Sequence, residues 1–247
     1  MTKSISPEDI VDNLIKDASG VKKPARRRRI PLWLSVLFIL VLIGGATLIY
    51  YWHTSGYAPI PAHVGAEYAG IDRGFTEQGF ARLGSADAPV VVEEFASYAC
   101  PHCRDFHLER FPAMLDEIAA GQVQFVMIPV PHIGPGAKDA AKAALCAGQQ
   151  GQYWEMNDVL FDWQKRFVMF TFDRRRLHNG AHNLGLDTKA FDQCMDSPAT
   201  DALVESARTE FDRRGLSGTP TFFINGQQVR SYDEFDNLSQ LTESQKP

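Results

Sequence analysis

The strongest constraint on the fold is a four-residue motif, Cys100-Pro101-His102-Cys103, set where a strand pattern gives way to a helix pattern. Val90-Val91-Val92-Glu93-Glu94-Phe95 follows Pro89 and is short, β-branched and apolar, which suits a buried strand. From Pro101 to Ala120 the apolar residues Phe106, Phe111, Met114, Leu115 and Ile118 recur at helical spacing, with a break at Pro112 and a stop at Gly121. The spacing predicts a proline-kinked helix. A cysteine at the start of that helix faces unpaired N–H groups and the positive end of the helix dipole, both of which favour a thiolate. Pro101 preorganises the first turn, and His102 supplies a second stabiliser if it is protonated or donates a hydrogen bond. A sulfur that is stable as a thiolate stabilises the dithiol over the disulfide, so the disulfide Cys100–Cys103 is expected to be redox-active and oxidising.

The rest of the pattern continues an α/β alternation. Val123–Val130 is a second strand, and a helix-rich stretch runs over about residues 136–214. Its last helix is marked by Ser197 as cap, Pro198 in the first position and Gly215 at the end. Thr221–Ile224 is a third strand, turned by Asn225-Gly226 into a fourth around Gln227–Val229, and Ser231 with Glu234 suits a capping box for a closing helix. A parallel pair followed by an antiparallel pair predicts a mixed sheet with a helical insertion.

Before this domain lies a different kind of segment. Ile30–Trp52 is uncharged and apolar, about 34 Å long as a helix, and follows Arg26–Arg29, with Trp33, Tyr50, Tyr51 and Trp52 near its ends. Positive residues flank the cytoplasmic side of such spans. The expected organisation is a cytoplasmic tail over 1–29 with a small helix capped by Ser6, a transmembrane anchor over 30–52, a Gly/Pro-rich tether over 53–83, and the folded domain over 84–247. The alternative of a cleaved signal fits less well, because the run is long and Tyr50-Tyr51-Trp52 is a poor cleavage site. The first 52 residues carry a surplus of four positive charges and the remainder a surplus of nine negative ones. An acidic body excludes nucleic acid as a natural partner.

Cys146 and Cys194 sit in the helical stretch among apolar neighbours. They are candidates for a structural disulfide closing a loop of about 48 residues, or for two buried thiols. A metal site built from Cys100, His102, Cys103 and His107 is disfavoured, since adjacent His102 and Cys103 wrap a tetrahedral ion poorly; no metal and no cofactor are expected. Arg174-Arg175-Arg176 reads as a solvated helix face near Asp173.

The Cys-Pro-His-Cys motif, the Glu94-Phe95 strand that enters it, and Gly218-Thr219-Pro220-Thr221-Phe222-Phe223-Ile224-Asn225-Gly226 together resemble the DsbA-like thiol-disulfide oxidoreductases of the thioredoxin superfamily over roughly residues 75 to 240. The resemblance implies a thioredoxin-like fold in which Cys100 is the nucleophile and Cys103 the resolving partner. It implies that Thr219-Pro220 is a cis-proline loop aligning an extended substrate, and that Glu94 lies beneath the motif and moves a proton to or from Cys103. A carboxyl in an apolar strand has a raised pKa, which suits that role; the alternative is that Glu94 faces solvent or pairs with a basic side chain. Glu93 points to the other face. The implied function is to introduce disulfide bonds into exported proteins with free thiols, with reoxidation by a DsbB-like membrane oxidase. The implied place is the bacterial inner membrane, N-terminus in the cytoplasm and catalytic domain in the periplasm. A reductase or isomerase of the same fold, and a tethered peptide-binding chaperone, are the competing readings.

Overall fold

The computed structural model describes residues 8, 11, 12, 31–167, 170–229 and 235. It divides into two compact units, Met1–Thr47 and Leu48–Pro247. Of the tail, Glu8, Val11 and Asp12 are helical, while Ser6 and Pro7 lie outside the described residues, as do Ser231 and Glu234. Helix α1, Leu32–Thr54, takes up the uncharged run after Pro31. Its apolar side chains from Leu32 to Trp52 are exposed or half-exposed, and that stretch is long and apolar enough to cross a membrane.

Among the described residues six strands form one sheet in the order β1-β2-β4-β3-β5-β6: β1 Arg73–Phe75, β2 Ala81–Leu83, β3 Val90–Ala96, β4 Val123–Pro129, β5 Thr221–Ile224 and β6 Gln227–Gln228. The centre is as the sequence predicts. β3 runs parallel to β4 with Glu94 opposite Met127, and antiparallel to β5 with Glu94 opposite Phe222. Pairing on both edges makes β3 central, and the layers on both faces of the sheet explain its largely apolar composition. Asn225 at φ 48 and Gly226 at φ 79 make the tight turn from β5 to β6, and the Asn225 side chain accepts from Val91 N–H at 2.8 Å.

The stretch expected to be a tether is instead part of the body. β1 and β2 form an antiparallel hairpin, and β2 extends the sheet beside β4. Ahead of it, four consecutive carbonyls are each held by a side chain from the helical block: Gly56 by Asn179 at 2.8 Å, Tyr57 by Arg176 at 2.9 Å, Ala58 by Asn183 at 2.8 Å and Pro59 by Trp163 at 2.8 Å. Three-residue strands are too short to show a period, and carbonyls held by distant side chains leave no local pattern, although Ala58, Tyr68 and Ile71 also reach the core.

The predicted kinked helix is three pieces: α2 Pro101–Glu109, a 3₁₀ turn Phe111–Met114 that contains Pro112, and α3 Leu115–Ala119. Proline has no N–H for the bond to the preceding turn, and the tighter turn absorbs the loss. The helical block is α4 Ala137–Gly148, α5 Tyr153–Arg166, α6 Arg174–Asn183, α7 Thr188–Met195 and α8 Pro198–Arg213. Asp173, Asp187 and Ser197 cap α6, α7 and α8 by accepting from backbone N–H groups two or three residues on. Cys146 on α4 and Cys194 on α7 are bonded, with their Cα atoms 5.6 Å apart.

The sheet is buried on both faces. Phe95, Val126, Ile128 and Phe223 pack against Ala207 and Phe211 of α8 on one face, and the larger cluster containing Phe106, Phe125, Trp154 and Phe161 fills the other. The arginine run is the solvated face expected at Arg174 and Arg175 but not at Arg176. Arg174 does pair with Asp192 and Asp196 at the surface, but Arg176 is fully buried. It lies 3.7 Å over the Phe167 ring and donates to the Phe170, Thr171 and Tyr57 carbonyls. These three carbonyls lie outside α6, and the buried guanidinium satisfies them.

Candidate active site

β3 ends in a tight turn that places Cys100 at the start of α2. Ser97 Oγ donates to Ile133 O at 2.6 Å, and Gly134, at φ +90, approaches so closely that a Cβ there would lie 2.6 Å from Ala99 Cβ. Cys100 N–H donates to Ser97 O at 3.0 Å, and Gln164 Nε2 donates to Cys100 O at 3.0 Å. Cys100 is the N-cap residue in an extended conformation, with Pro101 in the first helical position. The motif therefore sits on a helix N-terminus, as its sequence predicts.

Both cysteines are free thiols with opposite acidities. The Cys100 thiol is pulled down from 9.0 to about 5 by hydrogen bonding from Cys103, which with the Thr219 side chain and the backbone N–H groups of Cys103 and His102 outweighs burial. As a thiol, Cys100 Sγ donates to Thr219 O at 3.1 Å. Thr219 Oγ1 is then buried without a partner, a donor ready for the anion. The Cys103 thiol is pushed far up, first by burial, then by its hydrogen bond to Cys100 and the charge of Glu94. One sulfur is thus an anion at neutral pH and the other holds its proton.

The imidazole of His102 is exposed, and the residue reaches Cys100 through its backbone N–H. Thr219-Pro220 is a cis peptide, and its carbonyl contact with Cys100 sets it across from the motif. Glu94 is fully buried, and its Oε2 lies 2.7 Å from His107 Nε2. Glu93 points to the opposite face and pairs with Arg214 at 2.9 Å. Both ring nitrogens of His107 are engaged, Nδ1 with Asn157 Nδ2 at 3.3 Å, so His107 does not join the cysteines as a ligand. Among the described residues no three His, Cys, Asp or Glu side chains gather around a metal position.

Sequence reading missed the polar chain behind Glu94. Asn157 Oδ1 accepts from Tyr98 OH at 3.1 Å, and Asp158 Oδ1 accepts from Tyr68 OH at 2.8 Å. Burial pushes the Asp158 carboxyl up to about 6, although the Tyr68 hydrogen bond opposes it. The one available signal was His107, four residues after Cys103 and so on the same helix face. Beside the motif, a cleft of about 760 Å³ is lined by Ala99, Pro101, Arg104, Gln164, Phe167 and Phe172.

Comparison with known proteins identifies the family. A family model described as thioredoxin matches residues 76–243, and the chain belongs to the thioredoxin family. A Bacillus subtilis protein named disulfide bond formation protein D is 25% identical over 167 residues, covering 66% of this chain and 75% of that one. A Salinispora tropica protein named Na(+)/H(+) antiporter NhaA 3 is 31% identical over 156 residues, covering 63% of this chain. The match spans only 23% of that antiporter's own length. The crystal structure of Wolbachia pipientis alpha-DsbA1 superposes with a TM-score of 0.59 at 24% identity, over 69% of this chain and 94% of that one. That likeness is one of fold.

Proposed function

We propose that this chain is a membrane-anchored protein-disulfide oxidoreductase that introduces disulfide bonds into exported proteins through Cys100 and Cys103. The observation that carries the reading is the split acidity of the two thiols, Cys100 low and Cys103 high, at one helix N-terminus. In the oxidised protein a substrate thiolate attacks Cys100 Sγ. The Cys100–Cys103 bond breaks, a mixed disulfide forms, and Cys103 leaves and takes a proton. The substrate's second thiolate then attacks its own sulfur in the mixed disulfide and expels Cys100 as the stable thiolate, so two substrate thiols are oxidised and the protein is reduced. Glu94, buried close enough for its charge to raise the Cys103 pKa, exchanges the Cys103 proton. Thr219-Pro220 lines the substrate position opposite Cys100.

The anchor reading rests on α1, whose exposed apolar side chains have no place in water. With Arg26–Arg29 on the cytoplasmic side, residues 1–29 face the cytoplasm and the body faces the periplasm of a bacterial inner membrane. Reoxidation falls to a DsbB-like membrane oxidase. The domain boundary after the anchor belongs near Gly56 rather than at 84, because the carbonyls from Gly56 onward are held by the body.

The test uses oxidised full-length protein in detergent micelles and a reduced peptide with two cysteines, under argon. One peptide disulfide is expected per protein, and none with Cys100→Ser. Undiminished peptide oxidation by Cys100→Ser would refute exchange through this site.

A further inference from the structure

Glu94 and His107 form a buried pair whose geometry fixes where protons sit. Asn157 Oδ1 accepts from the Tyr98 hydroxyl at 3.1 Å, so the amide nitrogen is the group that faces His107 Nδ1 at 3.3 Å. A donor at Nδ1 makes that nitrogen an acceptor and puts the ring proton on Nε2. Nε2–H then donates to Glu94 Oε2 at 2.7 Å. The imidazole stacks on Phe161 with centroids 4.4 Å apart and stands edge-on to Phe106, so turning it over would disrupt both contacts. The other carboxylate oxygen, Oε1, is buried with no protein partner. An orphaned buried carboxylate oxygen is costly and calls for a role.

We propose that His107, held in one tautomer by Asn157, is the positioning residue that occupies Oε2 of Glu94 and so reserves Oε1 for the proton of Cys103. The proposal rests on the reading of Glu94 as the proton exchanger. During reoxidation the Cys100 thiolate has formed a mixed disulfide with the oxidant. The Cys103 S–H bond breaks and an O–H bond forms at Oε1. Cys103 sulfur attacks Cys100 Sγ, closing the protein disulfide and releasing the oxidant's thiolate. In substrate oxidation the same proton returns from Oε1 to Cys103 as it leaves. His107 keeps its proton throughout and serves by fixing the carboxylate. A held carboxylate transfers a proton without first reorganising, which is where a positioning residue acts on rate.

The titratable groups around the pair are Cys100 at the N-cap of α2, Cys103 on α2, Tyr98 in the turn before it, and Tyr153 and Asp158 on α5. Burial pushes both tyrosines up, and Asp158 to about 6. Cys100 is already a thiolate above about 5. The range from pH 7 to 9 is therefore free of these transitions.

The test follows reduced full-length protein reacting with oxidised glutathione, acid-quenched and read by mass spectrometry. This separates attack by Cys100, which forms the glutathione adduct, from resolution by Cys103, which removes it. His107→Phe keeps an aromatic ring against Phe161 but removes the donor. It is expected to slow resolution at least about tenfold with adduct formation unchanged within about twofold. Resolution should then rise about tenfold per pH unit between pH 7 and 9, as solvent takes over deprotonation, where the unaltered protein is flatter. His107→Gln, which retains an N–H donor, should recover most of the rate, and Asn157→Leu should slow resolution in the same sense. Should His107→Phe fail to fold, Asn157→Leu carries the test on its own. Normal resolution, or equal slowing of both steps, in the folded variant would overturn the proposal. Glu94→Gln separates the two readings: normal resolution there overturns the Glu94 assignment itself, whereas slow resolution with normal His107→Phe overturns only the role of His107.

Discussion

Acidifying the reduced protein should cost it stability in a window set by Cys100. A cysteine whose folded pKa lies below its unfolded value contributes stability that is fully present above the unfolded pKa and is lost as pH falls through the folded one. Here those limits are 9.0 and about 5. The full difference corresponds to about 5 kcal/mol in favour of the thiolate. At pH 7, two pH units below the unfolded value, roughly 3 kcal/mol of it remains, and below pH 5 it vanishes. The disulfide form has no thiolate and lacks this contribution altogether. Reduced and oxidised full-length protein would be unfolded with urea in detergent micelles between pH 4 and 8, alongside the thiolate absorbance of the reduced form. The stability difference should grow by about 1.4 kcal/mol per pH unit above pH 5, and the absorbance should fall with a midpoint near 5, a signal that Cys100→Ser abolishes. A midpoint near 9 with a pH-independent stability difference would refute the reasoning.

Other consequences concern the surroundings of this thiol. Replacing Thr219 by Val removes the hydroxyl that serves the anion, and the thiolate midpoint should rise by roughly one pH unit, which absorbance titration reads. Replacing Cys146 and Cys194 by Ala opens the α4–α7 link, and thermal or denaturant unfolding should show a loss of about 4 kcal/mol with the Cys100 titration unchanged. Changing Arg176 to Leu strands the Tyr57, Phe170 and Thr171 carbonyls, at a cost of roughly 3 kcal/mol in the same unfolding assay. Proteolysis should then cut first near Gly56–Pro59, and an unchanged cleavage pattern would contradict the clamp.

What could be read from the residues was what the chain specifies locally. β3 announces itself by β-branching, α8 by Ser197 and Pro198, the last turn by Asn225-Gly226, and Cys100 by its place at a helix start. Each depends on neighbours a few positions away. What was missed depends on partners far off in sequence. β1 and β2 exist because β4 offers an edge to pair with, and Gly56–Pro59 is ordered by donors more than a hundred residues later. Arg176 looked like its two neighbours until burial separated it from them. His107 and Asn157 are fifty residues apart and meet only because α2 packs on α5. Even at the motif, the source of the low Cys100 pKa differed from expectation in detail. Cys103 and Thr219 lead, and His102 contributes its backbone N–H, which no side-chain inventory reveals.

The central claim is that Cys100 and Cys103 form an oxidising pair because the fold stabilises the Cys100 thiolate. Its most direct test is the equilibrium reduction potential of the full-length protein, measured in glutathione buffers at pH 7. A value toward the oxidising end of the family's range, nearer about −120 mV than about −270 mV, is predicted. A potential near −270 mV would contradict the claim, since a disulfide that reluctant to be reduced cannot be donated to substrate thiols.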